Sequence, residues 1–310
     1  MVSVGRGRNL DEVDAFIVGV PKAGTTWLAS ILSQHNEITL SSPKEPNITS
    51  SHRGTFDRIA GEPNWEKYSE CFLREGLRID ASVHTFACPL APERLANRMP
   101  NIRLVLCLRE PVERAVSHWK MIRDIEEDTF FGADWSDFNV AWGDDRLRCD
   151  SLYGEAISRW LEHFGLENFL IIDSQSMQGD PEKTIATIER FLGVNHFEYN
   201  FEQLVPSNIA TDRIVVSRIG RILRTLFSLI PTPVKVPIVR FLQARDIDIY
   251  RTWLLSKRSD GYTVSVEHYT TCSPILCEDL RLFENLTGFS TSHWIERIES
   301  MSSDSNTGSI

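Results

Sequence analysis

The chain has 310 residues, 42% of them hydrophobic and 25% charged, which is enough apolar side chain for the core of one large α/β domain. A formal net charge of -10 argues against a general nucleic-acid binder, whose footprint is basic, but leaves an anionic small ligand open because local lysines and arginines decide that. The six cysteines (Cys71, Cys88, Cys107, Cys149, Cys272 and Cys277) form no Cys-x-x-Cys pair, so neither a zinc site nor a dense disulfide framework is signalled.

In chain order, the apolar run 15–20 predicts a first strand that passes through Pro21-Lys22-Ala23-Gly24 into a helix over about 25–35. A region punctuated by Pro43, Pro46, Gly54, Gly61 and Pro63 follows, too broken for long elements. Then come a short strand at 77–80, a helix over 91–99 and a strand over 103–108. Pro111 suits the first turn of the next helix, which carries Ser117 and runs to about 123. A helix over 154–164 precedes a strand at 169–173, and Asp180-Pro181 opens a helix that ends at Leu192-Gly193.

Strands alternating with helices predict an α/β fold, a three-layer αβα sandwich with a central, mainly parallel sheet and a phosphate-binding loop after the first strand. The expected organisation is one domain over 1–300, with a core at 14–195, a helical C-terminal part at 196–300 and a flexible tail at 301–310.

The segment from Phe16 to Leu28 is the most informative. A strand enters a glycine-bearing loop and then a helix start, so unpaired backbone N–H groups and the helix dipole converge where an anion would sit. The spacing Gly19, four residues, Gly24 nearly matches the nucleoside-triphosphate loop, but Thr25 stands where that loop has lysine and the only lysine is Lys22. Farther on, Arg109 at a strand end and Ser117 in the following helix can converge on a second anion. Taken singly, Arg109 would be a strand-end arginine paired with Glu110 or Glu113, and Ser117 a helix-surface serine.

The loop Pro21-Lys22-Ala23-Gly24-Thr25-Thr26-Trp27-Leu28, with Arg109 and Ser117 behind it, resembles the 5′-phosphosulfate loop and 3′-phosphate site of sulfotransferases that use 3′-phosphoadenosine 5′-phosphosulfate (PAPS). The likeness covers roughly residues 14–195 and leans toward the heparan-sulfate and other glycan-modifying members and their soluble bacterial relatives. It implies that Lys22, Ala23, Gly24, Thr25, Thr26 and Trp27 cradle the 5′ end of the donor, with Thr25 and Thr26 alternatively helix caps, that Arg109 and Ser117 grip its 3′-phosphate, and that Tyr153 either lies near its adenosine or is a buried helix-start tyrosine.

Ser42-Pro43-Lys44-Glu45-Pro46 resembles the K-E-P motif of that branch. By position Glu45 is then the catalytic base, Lys44 an active-site cation, and Lys22 the group that neutralises the leaving phosphate. A surface Lys-Glu pair in a proline-bounded loop is the other reading of Lys44 and Glu45. Asp80-Ala81-Ser82-Val83-His84 stands where relatives read E-x-S-P-x-Y, which makes Asp80, Ser82 and His84 acceptor contacts. His84 is alternatively a second base or a structural histidine. Ser256-Lys257-Arg258-Ser259 echoes a late donor loop and adds Lys257 and Arg258.

The expected activity is transfer of a sulfuryl group from PAPS to a hydroxyl or amine, on a carbohydrate by the likeness, releasing the 3′,5′-bisphosphate PAP without a metal. Two rivals stay open: a magnesium-dependent kinase and a catalytically idle nucleotide-binding protein. Arg114 and Arg123 read as solvated helix charges. Between 212 and 245 apolar residues from Ile214 to Ile230 recur at helical spacing among Arg218, Arg221 and Arg224. That segment reads as a packed helix, an acceptor lid, or a membrane or partner contact. No stretch approaches the roughly 18 to 20 apolar residues of a membrane span, and the first apolar run follows Asp11, Glu12 and Asp14, so a cytoplasmic enzyme is expected. No nucleic-acid partner is expected, and the oligomeric state is left open.

Overall fold

The computed structural model of the chain describes residues 11–201, 214–216, 256–258 and 263–303, with the backbone alone at 214–216 and 256–258. The elements are β1 (Ala15–Gly19), α1 (Thr25–Leu32), β2 (Ile38–Leu40), α2 (Tyr68–Cys71), β3 (Leu77–Asp80), α3 (Ala91–Arg98), β4 (Arg103–Leu108) and α4 (Pro111–Ile125). They continue with α5 (Glu127–Phe130), α6 (Phe138–Gly143), α7 (Asp145–Arg148), α8 (Tyr153–Leu161), β5 (Phe169–Asp173), α9 (Ser174–Gly179) and α10 (Pro181–Leu192). After these come β6 (Ile214–Val216), β7 (Ser256–Arg258), and two C-terminal helices, α11 (Val266–Thr287) and α12 (Ser292–Ser303).

Strands β1 to β5 form one sheet in the order β2-β3-β1-β4-β5, and every pairing is parallel. The central strand β1 is buried at all its positions, the consequence of an unbroken apolar run covered on both faces by helices. Because β1 lies mid-sheet, the loop that follows it opens where the strand order reverses, which is where ligands bind in parallel sheets.

Local chemistry sets the other elements. Glu110 caps α4 by accepting from the backbone N–H groups of Val112 and Glu113, and Pro111 takes the first helical position, whose N–H has no partner to lose. Gly193, at φ 68°, closes α10 in the left-handed conformation. Helix α11 lies across α8, where the Asp279 carboxylate accepts from the N–H groups of Gly154 and Glu155 at 2.8 Å each. A Cβ on Gly154 would stand 2.2 Å from the Asp279 carbonyl oxygen, so this close approach requires glycine.

Several boundaries differ from expectation. Helix α1 stops at Leu32, and β2 adds an edge strand inside the region read as irregular. Helix α4 extends to Ile125 and α8 begins at Tyr153. Residues 195–201 are not helical but run beside α1, where Asn195 and Asn200 bond Glu37 and Gln34. Helix α12 covers residues 301–303 of the expected tail, whose remainder lies outside the described residues. Ile214 and Val215, read as the start of a helix, belong instead to β6, which pairs antiparallel with β7. Arg218, Arg221, Arg224 and the rest of that segment lie outside the described residues. Among the described residues no helix is long and apolar enough to cross a membrane.

Candidate active site

The loop from Val20 to Gly24 is fixed at both ends. Val20 donates its N–H to the Cys107 carbonyl at the end of β4, and Gly24 accepts from Leu28 in α1. Gly24 sits at φ 83°, a left-handed backbone that favours glycine, while the one close neighbour of an added Cβ, the Met177 methyl at 2.4 Å, is the free end of a flexible side chain. Gly24 has no side chain to cap α1, and among the described residues no other side chain takes that place, so the first-turn N–H groups face the loop. Ala23 and Thr25 are buried, Thr26 is exposed, and Trp27 stacks on Phe201 at 6.3 Å. Lys22, half-buried at φ 75°, brings its Nζ 3.7 Å from the Met121 Sδ on α4.

The second anion site assembles beside this loop. Arg109 donates from Nη1 to the Lys22 carbonyl at 3.4 Å and from Nη2 to Glu113 Oε2 at 3.0 Å. Its own carbonyl accepts from the Tyr153 hydroxyl at 2.7 Å. Tyr153 is fully buried, and burial pushes its phenol far above the usual range, so it positions Arg109 and offers no face to an adenosine. Ser117 is half-buried one helical turn from both Glu113 and Met121, on the stripe of α4 that touches Arg109 at one end and Lys22 at the other.

Lys44 and Glu45 pair with each other at 2.7 Å, each about one-third exposed or less. Their turn is held down from below: Ser41 Oγ donates to the Lys44 carbonyl, and the Asn47 N–H donates to Ser82 Oγ. Burial pushes the Cys107 thiol up to about 12, and the Lys44 charge opposes that rise. Asp80 rises to about 6, first through burial and partly through the nearby charge of Glu45.

Asp80 and Ser82, expected as acceptor contacts, are buried in this structure. Asp80 accepts from the Tyr68 hydroxyl and the Ser82 N–H, while Ser82 holds Asn47, so together they anchor the Lys44-Glu45 turn to the sheet. Sequence placed these residues at the strand end correctly but could not show that their polar atoms turn inward.

His84 is also buried, with Nδ1 3.2 Å from Asp150 Oδ2. His118 Nδ1 lies 3.7 Å from the same oxygen, and its Nε2 is hydrogen-bonded to Thr55 Oγ1. Arg114, expected to be solvated, is instead completely buried: it donates to Ser151 Oγ, to the Leu147 carbonyl and to His118. The turn over 147–151 folds across α4 and supplies those acceptors, which is the reason for the difference. Burial would raise Asp150, but His84 and then Arg114 hold it well below the usual carboxylate range. Burial, then Arg114, drives His118 well below the usual imidazole value. The ligand atoms of His84, His118 and Asp150 lie within 4.8 Å of one another, and the Arg114 guanidinium supplies a positive charge among them. Arg123 pairs with Asp128 at 3.3 Å and stays partly solvated, as expected.

Lys257 and Arg258 lie on β7, paired with Val215 and Ile214, and their side chains are outside the described residues. Residues 12–210 match the family model described as "Sulfotransferase domain", well over half of the chain. The chain belongs to the sulfotransferase domain family.

Among curated relatives of this sulfotransferase domain, the Caenorhabditis elegans bifunctional heparan sulfate N-deacetylase/N-sulfotransferase 1 is 26% identical over 200 residues, 60% of this chain and 22% of that protein. A Mus musculus bifunctional heparan sulfate N-deacetylase/N-sulfotransferase 4 is 28% identical over 63% of this chain and 24% of its own length. The Mus musculus heparan sulfate glucosamine 3-O-sulfotransferase 6 is 26% identical over 64% of this chain and 59% of that protein. The chain thus spans about a quarter of the bifunctional relatives it matches. A solved sulfotransferase from Alicyclobacillus acidocaldarius shares the fold, with a TM-score of 0.59 at 19% identity over 91% of this chain and 98% of that one.

Two groups of this sulfotransferase domain escaped the sequence reading. Arg297 of α12 bonds Glu113 Oε1 at 2.7 Å, so the carboxylate that Arg109 touches is shared with a C-terminal helix. The buried Arg114–His118–Asp150 network was the other. A partial signal existed for it: Arg114 and His118 are four apart on one helix and therefore on one face.

Proposed function

We propose that this chain transfers a sulfuryl group from PAPS to a hydroxyl or amine of a carbohydrate acceptor, releasing PAP. One observation carries the reading: Arg109, the candidate 3′-phosphate ligand, donates to the backbone of Lys22 in the loop that would receive the 5′ end. Two anion-binding features are therefore adjacent, as a nucleotide phosphorylated at both ends requires. The residues fit such a donor, since an uncapped helix start, a lysine, an arginine and a half-buried serine line one stretch. The heparan-sulfate relatives favour a sugar as acceptor.

PAPS, when bound, supplies an activated sulfuryl group on a good phosphate leaving group. The protein's part is positioning and fixed charge. The first-turn N–H groups of α1, with Thr25 and Thr26, hold the 5′-phosphate, and Lys22 offsets charge on it as the bond breaks. Glu45 takes the proton of the attacking acceptor group, and Lys44 then exchanges its partner Glu45 for the reacting anion. No metal enters this scheme. The kinase and idle-binder readings draw no support from the relatives, and Thr25 in place of the phosphate-loop lysine speaks against a triphosphate.

Calorimetric titration with adenosine 3′,5′-bisphosphate in the presence of chelator tests the reading. Tight binding without metal, weakened at least tenfold by Arg109→Ala, is the expected result. Preference for magnesium-ATP, or indifference to Arg109, would overturn it.

A further inference from the structure

The carboxylate of Glu113 lies between two guanidinium groups, Arg109 at 3.0 Å and Arg297 at 2.7 Å. The three come from separate places in the chain. Arg109 directly follows β4, Glu113 sits in the first turn of α4, and Arg297 projects from α12. Helix α12 is fixed by the burial of Trp294, Ile295 and Ile298, so Arg297 is delivered by a docked helix and not by a free tail. Its guanidinium also lies 5.9 Å from the centre of the Tyr269 ring on α11, which limits the positions it can take.

Two guanidinium groups around the Glu113 carboxylate leave a net positive charge of one among these three side chains, at the N-terminal end of a helix beside the phosphate loop, offset in part by the neighbouring Glu110, which burial raises to about 7. Each guanidinium presents parallel N–H donors suited to a planar or tetrahedral oxyanion. Glu113 occupies the place such an anion would take. All three side chains keep partial solvent access, 33% for Arg109, 19% for Glu113 and 46% for Arg297, so an incoming ligand can reach them.

We propose that Arg297 is the second guanidinium of the donor's 3′-phosphate site, and that Glu113 holds it there until the phosphate dianion displaces the carboxylate. The inference rests on the PAPS reading above. It assigns the C-terminal helices a direct part in donor recognition: α12 completes the site from the far end of the chain, and donor binding tightens its docking. Arg297 becomes a determinant for nucleotides with a 3′-phosphate over those without.

The test compares calorimetric affinities for adenosine 3′,5′-bisphosphate and adenosine 5′-monophosphate in the full chain, in Arg297→Ala and in Arg297→Lys, with thermal unfolding of each. Arg297→Ala is expected to weaken the bisphosphate about tenfold and to leave the monophosphate within twofold, while Arg297→Lys recovers part of the loss. Glu113→Gln, which removes the competing charge, is expected to bind the bisphosphate at least as tightly as the native chain. Equal weakening of both nucleotides, or of neither, would overturn the proposal and leave Arg297 as a docking residue of α12. The native chain itself reports on the layer beneath: if it binds both nucleotides alike, the PAPS reading fails whatever Arg297 does.

Discussion

The loops that leave β1 and β3 end side by side at the C-terminal edge of the sheet, yet they treat their polar groups in opposite ways. The β1 loop leaves a helix start uncapped, keeps Lys22 half-exposed and leans on Arg109. The β3 loop turns Asp80, Ser82, His84 and Thr85 inward, and its acid is satisfied by Tyr68 and Ser82. Position at a sheet edge therefore does not by itself make a residue a ligand. What separates receptive from supporting groups here is solvent access: the polar groups of the β3 loop are buried, while Lys22 and Arg109 stay part-exposed. The Lys44-Glu45 turn stands between the two, held from below by Ser82 and open above.

The largest expected effect separates these roles. Glu45→Ala should lower turnover about 10²- to 10⁴-fold, the range for loss of a positioned base, with bisphosphate affinity and thermal midpoint almost unchanged. Steady-state rates beside calorimetry read both quantities. Unaltered turnover would leave Lys44–Glu45 as a surface pair and move the base elsewhere.

A mid-sized effect comes from where the two loops touch. A Cβ on Gly19 would meet Phe86 Cβ at 2.9 Å and the Val83 carbonyl oxygen at 3.2 Å, so β1 and the β3 loop can pack this closely only around a glycine. Gly19→Ala should cost about 1–3 kcal/mol of stability in urea unfolding, the usual range for overpacking, and weaken donor binding as the phosphate loop shifts. Full stability would mean that the supporting loop yields, and the contrast between a rigid and a receptive loop would fail.

How far these features were legible follows the same line. Strands β3, β4 and β5 were read to the residue because each is an apolar run with clear ends, and α10 because Asp180-Pro181 and Gly193 mark both termini. β2, at three residues, is too short to show a period. Helix α11 carries Pro274 in its interior and begins with a capping box completed by His268 in place of the usual Glu or Gln, so its signals are blurred. On the donor side, sequence brought Lys22, Arg109 and Ser117 to one place, because adjacent parallel strands put their loops together. It could not supply Arg297, whose contact with Glu113 depends on how the C-terminal helices dock. Nor could it show that Asp80 turns inward, or decide between the two readings of Tyr153, since a strand-end acid and a helix-start tyrosine look the same whether they face solvent or protein.

The smallest expected effect is a pH dependence written into the supporting loop. Burial raises Asp80 from 3.8 to about 6. A carboxyl that holds its proton more tightly folded than unfolded contributes stability that is fully present below the unfolded value and is lost as pH rises through about 6. At roughly 1.4 kcal/mol per unit, the loss is a few kcal/mol at most. Asp80→Asn cannot titrate, yet its amide oxygen can still accept from Tyr68 or Ser82. Thermal midpoints between pH 4.5 and 7.5 should therefore fall more steeply for the native chain than for the variant, and parallel curves would show that Asp80 titrates normally. Glu45, whose charge adds to the rise after burial, links the two sides. Glu45→Gln should flatten the native slope slightly while abolishing most turnover, because removing the charge that serves the acceptor also relieves the buried acid beneath it.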